Sequence, residues 1–245
     1  MFNNIIEFQA PKKYLDLKYQ HPEPIKSNVP DWFKKIKHVI HKRTVKGCMP
    51  FMDTLLTGYL LKLPLDIYLE HNVYNNGERE TSVSTGLMGH ISNFTNSLNI
   101  NKAKEMHPIH QLEGSPYVQK NKTLPIQKIL NPWTIKTPPG YSCLFVPPLN
   151  NADDRFSIIP GIVDTDSFPA EINFPYIING DKYPVLKTLI KMGTPYVQII
   201  PFKRESWKMK IGEVPDSRML TNRFVAAVQL FETYKNKWWH KKSWK

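Results

Sequence analysis

Apolar and polar positions alternate on a short period through residues 131–203, NPWTIKTPPGYSCLFVPPLNNADDRFSIIPGIVDTDSFPAEINFPYIINGDKYPVLKTLIKMGTPYVQIIPFK. Runs of β-branched and aromatic residues are cut every ten residues or so by proline and glycine, the rhythm of an antiparallel sandwich or barrel. The pattern predicts strands at 133–136, 141–146, 156–159, 162–164, 171–174 and 196–201. Proline fixes φ and has no amide to donate, so it belongs at the corners between strands. The predicted fold is mainly β: a jelly-roll or cupin-like antiparallel sandwich, with an N-terminal arm and helix before it and an amphipathic helix after it.

Upstream, residues 5–8 and 14–19 read as short strands in an arm broken by Pro11, Pro22, Pro24 and Pro30. Trp32, Phe33, Ile36 and Ile40 recur at helical spacing behind Asp31, which can cap the first turn. Lysines take the other face of this helix. Residues 51–57 read as a helix ended by Gly58, and 59–63 as a strand. Leu65, Ile67 and Leu69 alternate with Asp66, Tyr68 and Glu70, a half-buried strand. Asn75-Asn76-Gly77 is a hairpin turn signal, and 126–130 is a further short strand. Near the C-terminus Asp216 or Ser217 opens a helix over 217–238, with Met219, Leu220, Phe224, Val228, Phe231 and Tyr234 in a stripe that should dock on the β body. The expected segments are 1–43 (arm and basic helix), 44–214 (sandwich) and 215–245 (helix and tail).

Charge sharpens this picture. The net charge of +12 comes from 33 Lys and Arg against 21 Asp and Glu. Residues 34–46 hold six of the basic residues and 235–245 hold five, with no acid in either run. Without them 22 basic residues face 21 acidic ones, so the body is nearly neutral. The tail interleaves Trp238, Trp239 and Trp244 with Lys241 and Lys242. Such residues suit a protein partner or self-association, because tryptophan is favoured at interface hot spots. They also suit single-stranded nucleic acid, through stacking and phosphate neutralisation. Cys48 and Cys143 are too few for a disulfide framework and sit in apolar surroundings, so both are expected as buried free thiols. Neither a signal peptide nor a membrane-length apolar run is read, which places the expected setting in a cytoplasm.

Candidate chemistry is sparse. His107 and His110 lie close together in sequence, and Asp164 and Asp166 share a face if GIVDTD is a strand. Two histidines and a carboxylate could hold Fe(II) with open positions, as in a cupin-like oxygenase. The usual His-x-acid pair is missing from any predicted strand, occurring only at His21-Pro22-Glu23 in the arm. TPPGYSCLF and PGIVDTD resemble the turn and hairpin motifs of dUTPases. That family's serine-containing phosphate motif and glycine-rich arm are lacking here. Ser142, Cys143 and Cys48 have no nucleophile elbow and no identifiable histidine partner.

WTIKTPPGYSCLFVPPLN, PGIVDTD, INFPYI and KMGTPYVQIIPFKRESW together resemble an uncharacterised family of marine tailed phages with distant bacterial members. The shared pattern begins at Gly58-Tyr59 and Leu63-Pro64 and covers about 45–207. The family has no assigned activity, so the resemblance implies a phage-type origin and one folding unit rather than a reaction. A phage product would work in the host cytoplasm or in association with the virion. The leading expectation is a non-catalytic binding or structural protein, with the iron oxygenase as the alternative.

Overall fold

The computed structural model describes residues 4–16, 18, 21–73, 79–85, 106–107, 109–120, 126–150, 153–228 and 232–245. The fold is mainly β. Its strands are β1 Glu7–Gln9, β2 Glu23–Pro24, β3 Tyr59–Lys62, β4 Ile67–Val73, β5 Arg79–Thr85, β6 Met106–His107 and β7 Ile126–Ile129. They continue with β8 Thr134–Lys136, β9 Tyr141–Val146, β10 Phe156–Ile158, β11 Gly161–Val163, β12 Phe174–Ile178, β13 Val185–Ile190 and β14 Pro195–Lys203. The α-helices are α1 Lys12–Leu15, α2 Asp31–Lys35, α3 Met49–Thr54, α4 Pro116–Lys120, α5 Asp216–Val228 and α6 Thr233–Lys237. By contact the chain separates into Met1–Glu23 with Gly58–Lys203, and Pro24–Thr57 with Arg204–Lys245. Each unit draws on two stretches of chain, so no linear cut of the kind the sequence invites divides them.

The first unit carries the sheets. One has the order β11-β9-β14-β3-β2, a second β10-β12-β7-β6, a third β13-β4-β5, and β1 pairs with β8 alone. The ladders are antiparallel, as the proline-cornered pattern predicts. β9 and β14 are interior strands of the largest sheet. Tyr196, Val197, Gln198 and Ile199 are consecutive and all buried, the mark of a strand covered on both faces. The buried Gln198 side chain takes the Leu149 amide at 3.0 Å, which satisfies its carbonyl away from water. Phe145, Phe174 and Tyr196 form the aromatic spine of the core, with ring centroids 5.5 and 5.6 Å apart in sequence along it.

Several local expectations change. Where a strand is expected from 14, Lys12–Leu15 instead forms one helical turn and buries Tyr14, and residues 17 and 19 lie outside the described residues. The basic helix stops at Lys35 because Ile36 is already extended (ψ 127°), and Ile40 stays exposed. Asp31 lies inside its first turn rather than capping it, and pairs with Lys34 at 3.2 Å. The strand expected at 171–174 begins at Phe174, and β13 replaces what the sequence left as a connection. The C-terminal helix is two helices, with Glu232 in the left-handed region (φ 67°) ahead of α6. Asn75-Asn76-Gly77 lies outside the described residues, but β4 and β5 on either side of it pair antiparallel from Val73 and Arg79.

The thiols also part company: Cys143 is buried, whereas Cys48, expected to be buried, is exposed. Burial pushes the Cys143 thiol up from 9.0 to about 11, against a smaller lowering from the Thr165 hydroxyl. A neutral-pH titration with a disulfide reagent should therefore count one thiol in the native chain and two after denaturation. Equal, fast reaction of both in the native state would contradict this burial. The sign for stability follows from the raised value: the neutral thiol's contribution is intact below pH 9.0 and is lost as pH climbs toward about 11.

Candidate interaction surface

The two aspartates of GIVDTD hold a turn together. After β11 the Asp164 carbonyl accepts the Ser167 and Phe168 amides at 3.1 and 2.9 Å. The Asp164 carboxylate accepts the Ser142 hydroxyl at 2.6 Å, and Asp166 accepts the Gly140 amide at 2.9 Å. Between them the buried Thr165 hydroxyl lies 2.8 Å from that of Thr137 and 3.3 Å from the Cys143 sulfur. These bonds clamp the turn after β11 onto the Pro-Pro-Gly turn between β8 and β9. They also spend carboxylate lone pairs that metal ligation would need.

His107 is elsewhere, on β6 of the four-stranded sheet, with Nδ1 against the Gln111 side-chain oxygen. His110 is exposed in the single turn Ile109–Leu112. Thus the two histidines and the two aspartates hang from different sheets. Among the described residues no group of three or more His, Cys, Asp and Glu could hold a metal ion. The Fe(II) set read from the sequence is not assembled.

The basic tail belongs to the second unit and is partly committed within it. The Trp239 indole N–H donates to both Asp53 oxygens at 3.1 Å, and Lys242 ion-pairs with the same carboxylate. Lys242 also lies over the Trp239 ring, 5.8 Å from its centroid. Asp53 is on α3, beside the stack of Phe33 on Phe51 (5.9 Å) that α2 and α3 bring together. Trp239 and Trp244 are half-buried, whereas Trp238 and Lys241 face outward. So the predicted partner-binding set divides: Trp239 and Lys242 staple the tail, and Trp238 with Lys241 remains on the surface.

A run of exposed apolar residues was not singled out by sequence. From 203 to 224 every residue is exposed except Met219. Residues 204–215 form neither strand nor helix. Trp207, Met209 and Ile211 are 87, 84 and 86% exposed, and Lys208 and Lys210 alternate with them. Leu220 and Phe224 follow on α5, one helical turn apart and 62 and 65% exposed. The signal was legible as a period-two run, WKMKI, which ordinarily means a strand with one covered face. Here that face has no cover. Isolated apolar residues on a surface are ordinary, but here six exposed large ones, Val214 included, fall within eighteen positions.

No family model, curated protein or solved structure matches the chain. The reading of function therefore rests on the geometry. No helix among the described residues is long and apolar enough to cross a membrane.

Proposed function

We propose that the chain is a non-catalytic interaction protein of phage type, built on a jelly-roll-like body, that binds a protein partner through the exposed run 203–224. The observation that carries this reading is the near-complete exposure of Trp207, Met209 and Ile211 in register with Lys208 and Lys210. An extended segment of that pattern can join the edge of a partner's sheet, with main-chain bonds supplying affinity and alternate side chains supplying selectivity. Tryptophan is a frequent anchor of such interfaces. Trp238 and Lys241 extend the same unit's outward surface. The interleaved lysines favour an acidic rim on the partner. The phage-like sequence motifs set this in a host cytoplasm or at a virion.

The test compares the full chain with a Trp207→Ser, Met209→Ser, Ile211→Ser triple variant, by sedimentation velocity and by capture of phage and host proteins. Self-association or one specific captured protein should be lost in the variant, while its circular dichroism and melting temperature stay those of the parent. Unchanged assembly and capture would sink the proposal. A filter-binding series across salt covers nucleic acid: steep salt dependence that survives the triple substitution would shift the binding role to the lysines and Trp238.

A further inference from the structure

A second feature lies wholly within the first unit and is independent of the exposed run. A cleft of about 260 Å³ opens where the C-terminus of α4, the segment leading into β10, the end of β12 and the start of β14 meet. That volume is at the small end of small-molecule cavities. Pro147, Pro148 and Pro195 supply rigid walls, and Phe156 and Ile177 an apolar floor. The Lys120 carbonyl accepts the Gly180 amide at 3.1 Å, which ties the end of α4 to the chain just past β12 and holds Lys120 at the rim.

The two acids lining the cleft are already spoken for. Asp153 accepts the Arg155 amide at 3.2 Å and its Nε at 2.8 Å, and ion-pairs with Nη2. Arg155 is anchored in turn by the Thr188 hydroxyl at 2.7 Å. Asp154 ion-pairs with Lys182 and accepts the Tyr183 hydroxyl at 2.7 Å. Lys182 and Tyr183 together hold its carboxyl below the usual range. Counting Lys120, Arg155 and Lys182 against Asp153 and Asp154 leaves one net positive charge around the cleft.

What is unspent is donor capacity. Lys120 forms no ion pair among the described residues. Tyr196 also lines the cleft, is 3% exposed, and its hydroxyl has no hydrogen-bond partner among the described residues. Burial alone raises its pKa, so the phenol is a neutral donor at every physiological pH. Tyr196 falls where β14 slips register against β3, between Pro195 and Val197. Such bulges re-aim a side chain and recur beside binding sites. A ligand carboxylate that accepts from this hydroxyl gains a charge-assisted hydrogen bond that no described group of the chain competes for.

We propose that this cleft binds a small organic carboxylate, whose oxygens accept from the Lys120 ammonium and the Tyr196 hydroxyl while its apolar body lies against Phe156 and Pro195. Benzoate is the probe, with benzamide as its uncharged isostere and inorganic phosphate as a compact anion without an apolar body. Saturation-transfer NMR and calorimetry on the full chain should show benzoate binding at millimolar concentration and neither control binding comparably. Tyr196→Phe and Lys120→Met should each weaken benzoate about tenfold, the loss expected when one bond to a charged group is removed. Tyr196→Phe keeps the ring in the core, so its melting temperature should hold. A fall in melting temperature with unchanged benzoate affinity would make the hydroxyl structural and overturn the proposal. So would equal binding of benzamide, preference for phosphate, or no benzoate binding at all. None of these outcomes touches the 203–224 surface, whose triple variant should bind benzoate as the parent does.

Discussion

Gly58→Ala should cost at least about 3 kcal/mol of stability, enough to take a large share of the margin of an ordinary domain. Two penalties coincide there. Gly58 has φ +84°, where a side chain costs about 1–2 kcal/mol. An added Cβ would also be driven into the Ile199 carbonyl oxygen. That oxygen cannot retreat cheaply, because Ile199 is a fully buried residue of β14, paired with Tyr59 on β3 and with Phe145 on β9. Gly140 is the control: it has φ +84° too, but nothing stands within 4 Å of the added atom. Gly140→Ala should therefore lose only about 1–2 kcal/mol, the conformational share. Urea titrations of the three proteins decide it, and equal midpoints for the two variants would show that the contact at Ile199 does not matter.

Phe145→Ala should be the more damaging of a second pair, at about 3–5 kcal/mol. The ring is 2% exposed, contacts Phe174 and sits on the interior strand β9, so little can collapse into the space it leaves. Phe224→Ala removes the same atoms from a side chain that is 65% exposed on α5. Its stability should move by no more than about 0.5 kcal/mol. Because Phe224 belongs to the proposed interface, partner capture should fall instead. A large destabilisation by Phe224→Ala would mean that the α5 face is packed, and would remove it from the interaction surface.

The sequence made the β core readable because its signals are local. β9 matches the predicted 141–146, and β14 extends the predicted 196–201 by one residue before and two after. β12 was misplaced because Pro175 sits inside it, on the pairing with Lys128 of β7, where proline is ordinarily a stop sign. β13 was missed because VLKTLI puts apolar residues on both parities and so shows no alternation. The candidate sites were less readable because they depend on distance along the chain. Asp53 meets Trp239 across 186 residues, so the tail's internal use could not be seen. Asp164 and Ser142 stand 22 apart, and their union turned an apparent metal ligand into a turn clamp. Exposure itself is invisible to pattern: WKMKI reads as a strand whether or not a sheet receives it.

The interleaving of the two units has a consequence for synthesis on the ribosome. Pro24–Thr57 emerges well before its companion Arg204–Lys245, with the strands of the other unit made in between. At about 5–20 residues per second the delay is on the order of ten seconds. During it Asp53 must wait without the indole and ammonium of the tail that later bind it. The sheet-bearing unit, complete at Lys203, can close first and hold the two ends of the inserted segment at Glu23 and Gly58. The newborn protein is therefore most open to chaperones, or to an early-arriving partner, at its helical unit rather than at its sheets.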